Sequence, residues 1–157
     1  MKYVREHNIN PCYVNDDGDN LLHKLCIRYT DENMPDIIDF CLENYPETFI
    51  QNKTLHNPIH FLCKFYRHDN LEDILWKIFM KMEKVFFDEF INQRTINNLT
   101  YIEHLLMNEY QRHAMPKICR FLRQHGLALT LAELPGETDI IDALIYYYSK
   151  SQKNDKL

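Results

Sequence analysis

Two seven-residue segments of this chain read almost alike, and their likeness restricts the fold more than any other feature. Asn20-Leu-Leu-His23-Lys-Leu-Cys26 is matched by Asn57-Pro-Ile-His60-Phe-Leu-Cys63. A third segment, Thr100-Tyr-Ile-Glu-His-Leu-Leu106, keeps the apolar pattern with Glu103 in the histidine's place, and Thr138-Asp-Ile-Ile-Asp-Ala-Leu144 keeps it more weakly. The starts at 20, 57, 100 and 138 are 37, 43 and 38 residues apart. Self-similarity at such a period predicts a stack of helical units, each needing a neighbour to bury its apolar face.

A second pattern lies between these segments. Met34-Pro35-Asp-Ile37-Ile-Asp-Phe40 pairs with Met115-Pro116-Lys-Ile118-Cys-Arg-Phe121. Each leads into a helix-ending stretch, Leu42-Glu-Asn-Tyr45 and Leu122-Arg-Gln-His-Gly126, and Val4-Arg-Glu-His7-Asn8 repeats that ending at the N-terminus. Asn and Thr at the segment starts are good N-caps, because their side chains accept an orphan backbone N–H. Pro58 falls at the first helical position, where its missing donor costs nothing. Leu22, Leu25 and Cys26, like Ile59, Leu62 and Cys63, share one helical face. Each unit therefore reads as helix, loop, helix.

Turn residues agree with this division. Gly18 and Gly136 each stand two residues before a capped helix, and Gly126 ends a second helix. These are the only three glycines in 157 residues, too few for a sandwich or barrel of many short strands. We expect an all-α fold. One domain spans residues 1–150, with units starting near 18, 55, 98 and 136, an N-terminal half unit at 1–14 and a polar tail at 151–157.

These residues resemble ankyrin repeats, whose signature is G-x-T-P-L-H-x-A followed by a second helix ending in L-L-x-x-G-A. Gly18-Asp-Asn-Leu-Leu-His23-Lys-Leu and Asn57-Pro-Ile-His60 carry the resemblance, and Phe121-Leu-Arg-Gln-His-Gly126 matches the ending. The period departs from the family's ~33 residues. The interhelical segments Arg28–Met34 and Glu109–Met115 read as extended, the third unit as degenerate, and Leu or Cys replaces the small alanine pair.

The resemblance implies a helix-turn-helix solenoid with short hairpin connections that binds a partner protein through its concave surface, without catalysis. Carried over by position, the first-helix contact residues are Arg28, Phe65, Asn108 and Tyr146, with neighbours Tyr29, Tyr66, Glu109 and Tyr147. Aromatic and Arg side chains suit binding hot spots. Turn-tip candidates are Asp16, Asp17, Asn52, Lys53, Arg94 and Asn97. Tyr29 and Tyr66 also suit a second role, plugging the lengthened interhelical loop. Tyr146, Tyr147 and Tyr148 suit either a final helix or an exposed contact surface.

Composition sets the partner class. The net charge is −5 and no basic block appears, so nucleic acid is not expected. The N-terminus lacks an apolar leader, and the apolar-rich stretch Leu71–Phe90 is broken by eight charged residues from Glu72 to Glu89, so no membrane association is expected. Five cysteines without a CxxC pair predict free thiols in a reducing compartment. We expect a monomer that is cytoplasmic, in its own cell or in the cytosol or nucleus of a host cell, with no cofactor and no small-molecule substrate, an adaptor or a host-directed effector. A composition rich in Asn, Ile, Lys and Tyr suits an A+T-rich genome, and a short inhibitor similar to the IκB-like ankyrin proteins of some DNA viruses is one concrete form.

Three features compete with that expectation. His56, His60 and Cys63 have zinc-ligand chemistry, but His56 precedes the Asn57 cap, His60 sits at the family's structural histidine, and Cys63 repeats a core position. Cys12 with nearby His7 would be a nucleophile pair, yet no glycine adjoins Cys12. Asp16/Asp17 and Glu72/Asp73 suit turns and first-turn helix charges better than acid–base pairs. We therefore expect no metal and no catalytic residue, with a metal-dependent or Cys-His enzyme as the alternative. Trp76, Phe79, Met80, Met82, Phe86, Phe87 and Phe90 form a heavy apolar stretch, as core packing or in part as a partner groove.

Overall fold

The computed structural model describes Glu6, residues 9–28, 32–82, Phe90, 92–108 and 110–111. Five α-helices lie within them: α1 (Leu21–Arg28), α2 (Met34–Asn44), α3 (Pro58–Phe65), α4 (Leu71–Lys81) and α5 (Tyr101–Met107), with a 3-10 turn at Pro46–Phe49. No strand occurs among the described residues. The chain is all-α there, and no described helix is long and apolar enough to cross a membrane.

The predicted caps account for three of the helix starts. The Asn57 side chain accepts from the backbone N–H groups of Ile59 and His60, while the Asn57 N–H donates to His60 Nδ1. This is a capping box in which histidine takes the place of the usual Glu or Gln. Asn20 and His23 repeat it: the His23 N–H donates to Asn20 Oδ1 and the Asn20 N–H to His23 Nδ1. At α5, Thr100 and Glu103 form the standard version. Glu103 is thus a chemical substitute for the histidine, and the third unit keeps its helix start.

Three turns precede these helices and share one bonding pattern. In Asn15–Asp19, Asn52–His56 and Thr95–Leu99, the first N–H donates to the fifth carbonyl, at 3.0, 2.8 and 2.9 Å. The fourth N–H donates back to the first carbonyl, and that fourth residue has positive φ in all three: Gly18 (80°), Leu55 (58°) and Asn98 (60°). Glycine and Asn tolerate this conformation, whereas Leu is strained in it. Neighbouring turns are joined at their tips, Lys53 N–H to the Asp17 carbonyl and Ile96 N–H to the Thr54 carbonyl, both 3.0 Å.

α1 packs on α3 and α3 on α5, while α2 packs on α4. The core between the two rows holds Leu22, Met34, Ile38, Ile59, Leu62, Leu71, Ile74, Leu75, Ile78 and Leu105, with the thiols of Cys26, Cys41 and Cys63 among them. Phe79 and Phe90 are buried, whereas Trp76 and Met80 face solvent, so the apolar stretch is divided between core and surface. Phe86 and Phe87 lie outside the described residues, as do the fourth segment, Gly126 and Gly136.

Candidate functional site

The turn tips and the outward sides of α1, α3 and α5 form one face, which is the candidate site. Its polar interior comes from the first helices. His23 Nε2 donates to the His56 carbonyl in the next turn (3.1 Å), and His60 Nε2 donates to the Gln93 carbonyl just ahead of the third turn (3.2 Å). Because each Nδ1 accepts from its own cap, the tautomer is fixed with the proton on Nε2. Both nitrogens of His23 and His60 are thereby committed to structure.

Asparagines hold the turns in the same way. Asn52 Oδ1 accepts from the N–H groups of Thr54 and His56, and its Nδ2 donates to Asp19 (2.7 Å) in the preceding turn. Asn20 Nδ2 reaches the Thr48 carbonyl and Asn57 Nδ2 reaches Gln93 Oε1, both at 2.7 Å. A buried asparagine that bonds a neighbouring segment satisfies polar groups that would otherwise cost about 1–3 kcal/mol each.

The rings of His56, His60 and His104 meet one another, with centroids 5.4 to 5.9 Å apart, and His56 stacks on Phe61 at 4.8 Å. Phe61 continues into Phe65 at 6.2 Å. Burial, together with neighbouring histidines, holds the His60 pKa down to about 3 and the His104 pKa to about 4, so both rings are neutral at pH 7. Burial also lowers His56 and His23. His104 differs from the others: among the described residues neither of its ring nitrogens has a hydrogen-bond partner.

The predicted contact residues separate into three groups. Arg28, Asp16, Asp17, Lys53 and Asn97 are exposed, and Phe65 is half-buried. Tyr66, Asn108 and Asn52 are buried and are therefore not available as a contact surface. Tyr66 plugs the interhelical loop, its hydroxyl donating to Asn70 Oδ1 (2.7 Å). Asn108 Nδ2 donates to the carbonyls of Cys63 and Tyr66 (both 2.9 Å), satisfying groups left open at the end of α3. Arg94 is half-buried, bonded through Nη1 to the Asn98 carbonyl (2.9 Å) and 3.7 Å from Glu103. Tyr29, Glu109, Tyr146 and Tyr147 lie outside the described residues.

Sequence reasoning missed several members of this face. Phe61, Lys64 and Met107 lie beside Phe65 or one column from it, and Arg67 stands 4.8 Å over the exposed Tyr110 ring. His104 was also missed as a ring partner of His56. The available signal was its register, because His104 follows Glu103 as Phe61 follows His60.

The competing chemistry finds little support in the geometry. His60 has no free nitrogen for a metal, and Cys63 is fully buried with its thiol pKa raised by desolvation. No group of three ligating side chains suited to a metal occurs among the described residues. The Cys12 thiol is also raised, first by burial and then by Glu47, the opposite of an activated nucleophile. His7 lies outside the described residues. Comparison with protein-family models, curated proteins and solved structures gave no match to this chain.

Proposed function

We propose that the chain is a divergent ankyrin-type repeat stack that acts as a non-catalytic protein-binding module, through the face formed by its turn tips and first helices. The observation that carries this reading is the threefold turn. Asn15–Asp19, Asn52–His56 and Thr95–Leu99 share their bonds and their positive-φ position, and they are joined tip to tip. Matching turns joined this way hold their outward side chains at fixed spacing, which suits a rigid surface and not a cleft.

The commitment of polar groups to structure supports the same reading. His23, His60, Asn52 and Asn57 spend their hydrogen bonds on caps and neighbouring turns, leaving the half-buried Phe61 and Phe65, the exposed Met107 and the exposed cations as the groups open to a partner. An adaptor or a host-directed effector, including an IκB-like inhibitor, is compatible with such a scaffold, whose specificity lies in surface side chains.

The test is affinity capture with wild type and a Phe65→Ser/Met107→Ser double variant, after both are shown to melt alike. A partner enriched by wild type and reduced about tenfold by the variant supports the reading, as ~1.4 kcal/mol of lost contact would produce. Equal capture by both overturns the choice of face. Capture of no partner counts against the module itself.

A further inference from the structure

Charge is divided between the two helical rows. In the first row α1 and α3 carry Lys24, Arg28 and Lys64 and no carboxylate, and the one carboxylate of α5, Glu103, is buried. α2 and α4 carry Asp36, Asp39, Glu43, Glu72 and Asp73 against Lys77 and Lys81. The chain as a whole has 23 acidic and 18 basic residues, so two neighbouring helices without a carboxylate run against its composition, and the exposed carboxylates of this face, Asp16 and Asp17, are confined to a turn tip. Lys24 is neutralised by Asp19 at 2.6 Å, and the cations of α4 by Asp39 and Glu43. Arg28, Lys64 and Arg67 are exposed and form no ion pair among the described residues.

Helix electrostatics explains part of this arrangement. Arg28 and Lys64 sit in last turns, where cations favour the negative end of the dipole. It does not explain Arg67, which lies beyond α3, or the aromatic surface beside these cations. Phe61 and Phe65 are stacked and half-buried, the Lys64 ammonium lies 5.2 Å over the Phe65 ring, and the Arg67 guanidinium lies 4.8 Å over the exposed Tyr110 ring.

We propose that this face docks an extended acidic protein segment, its carboxylates meeting Arg28, Lys64 and Arg67 and its apolar side chains resting on Phe61 and Phe65. The inference rests on the protein-binding reading above and adds the partner's chemistry. Lys64 is close enough to act on the neighbouring rings: after burial it lowers His56, where Asp19 opposes it, and after burial and His56 it lowers His104. Nucleic acid would satisfy the cations but would make less use of an aliphatic and aromatic strip in a chain of net charge −5.

The experiment is fluorescence anisotropy on the full chain at physiological ionic strength. The probes are a labelled peptide of alternating Glu and Leu, the same peptide with Lys for Glu, the same with Ser for Leu, and a single-stranded DNA of similar length. The Glu/Leu peptide should bind about tenfold tighter than each of the other three. Lys64→Glu/Arg67→Glu should weaken it at least about tenfold with only a small drop in melting temperature, because Lys64 is exposed at the C-terminal end of α3, and Lys64→Gln/Arg67→Gln should weaken it less with a smaller drop still. Reversal at Asp36 and Glu72 on the other row should leave binding unchanged. Equal affinity for the Lys/Leu peptide, tighter binding of DNA, or indifference to the Lys64/Arg67 reversal overturns the inference. A protein captured through Phe65 and Met107 but insensitive to that reversal also overturns it, while leaving the protein-binding reading intact.

Discussion

Where α1 meets α3, the contact is threaded with buried hydrogen bonds from His23, Asn52 and Asp19. Where α2 meets α4, aliphatic side chains such as Ile38, Ile74 and Ile78 fill the space, and Asp39 with Lys77 and Lys81 closes the rim. Both contacts join the same two units. A hydrogen bond is satisfied at one position only, so the first row fixes which turn faces which. Apolar burial is indifferent to direction, so the second row supplies much of the stability and little of the register. That division leaves the first row rigid enough to present a surface.

Acid should separate the rows most sharply. His60 and His104 titrate near 3 and 4 in the folded chain against an ordinary value of 6.5. Between those values the unfolded chain binds more protons, so stability is highest above pH 6.5 and falls as the pH drops toward 4. Each ring that stays neutral contributes a slope of about 1.4 kcal/mol per pH unit. Urea midpoints at pH 7 and pH 5 measure it. A flat profile would mean that the rings are solvated and the first row is loose.

Next in size is a cavity in the second row. Ile74→Ala removes a fully buried side chain and should cost about 2–5 kcal/mol in urea unfolding. The first row then allows a paired comparison. His60→Leu leaves the Asn57 N–H and the Gln93 carbonyl without their partner and should cost about 2–3 kcal/mol. His104→Leu strands nothing among the described residues and should be neutral or stabilising by about 1 kcal/mol. It should also flatten the acid slope. Equal losses for the two variants would show that His104 has a partner after all.

The turns and the rim give the smallest effects. A Cβ on Gly18 would stand 3.0 Å from the Lys53 backbone nitrogen at φ +80°, so Gly18→Ala should cost about 1–2 kcal/mol. Leu55 holds the equivalent conformation with a side chain half exposed to solvent. Leu55→Gly should gain about 0.5 kcal/mol, strain relief exceeding the added freedom of the unfolded chain. Asp39→Asn removes two solvent-accessible ion pairs and should cost no more than about 1 kcal/mol in the same assay. A larger loss there would give the second row a directional bond that the structure does not assign to it.

The sequence by itself determined the features that depend on residues within about four positions of one another. The helix starts at Asn20, Asn57 and Thr100, the proline at the head of α3, the turn at Gly18 and the place of His56 ahead of its cap were all legible, because a cap and its N–H are neighbours in the chain. Positive φ at Leu55 was not legible, since no local preference asks Leu to adopt it. The fit of a turn between two others imposes it.

Burial was the other decision left to tertiary structure. Tyr66 and Asn108 occupy positions that a repeat register places beside the surface, yet the carbonyls at the end of α3 and the loop after it draw both inward. The bonds from Asn108 span 45 and 42 residues, and no window of sequence shows such a partner. That His104 finds no partner for its ring nitrogens among the described residues arises in the same way. A side chain's own identity sets what it can bond, and only the neighbour brought against it by packing decides whether that bond is made.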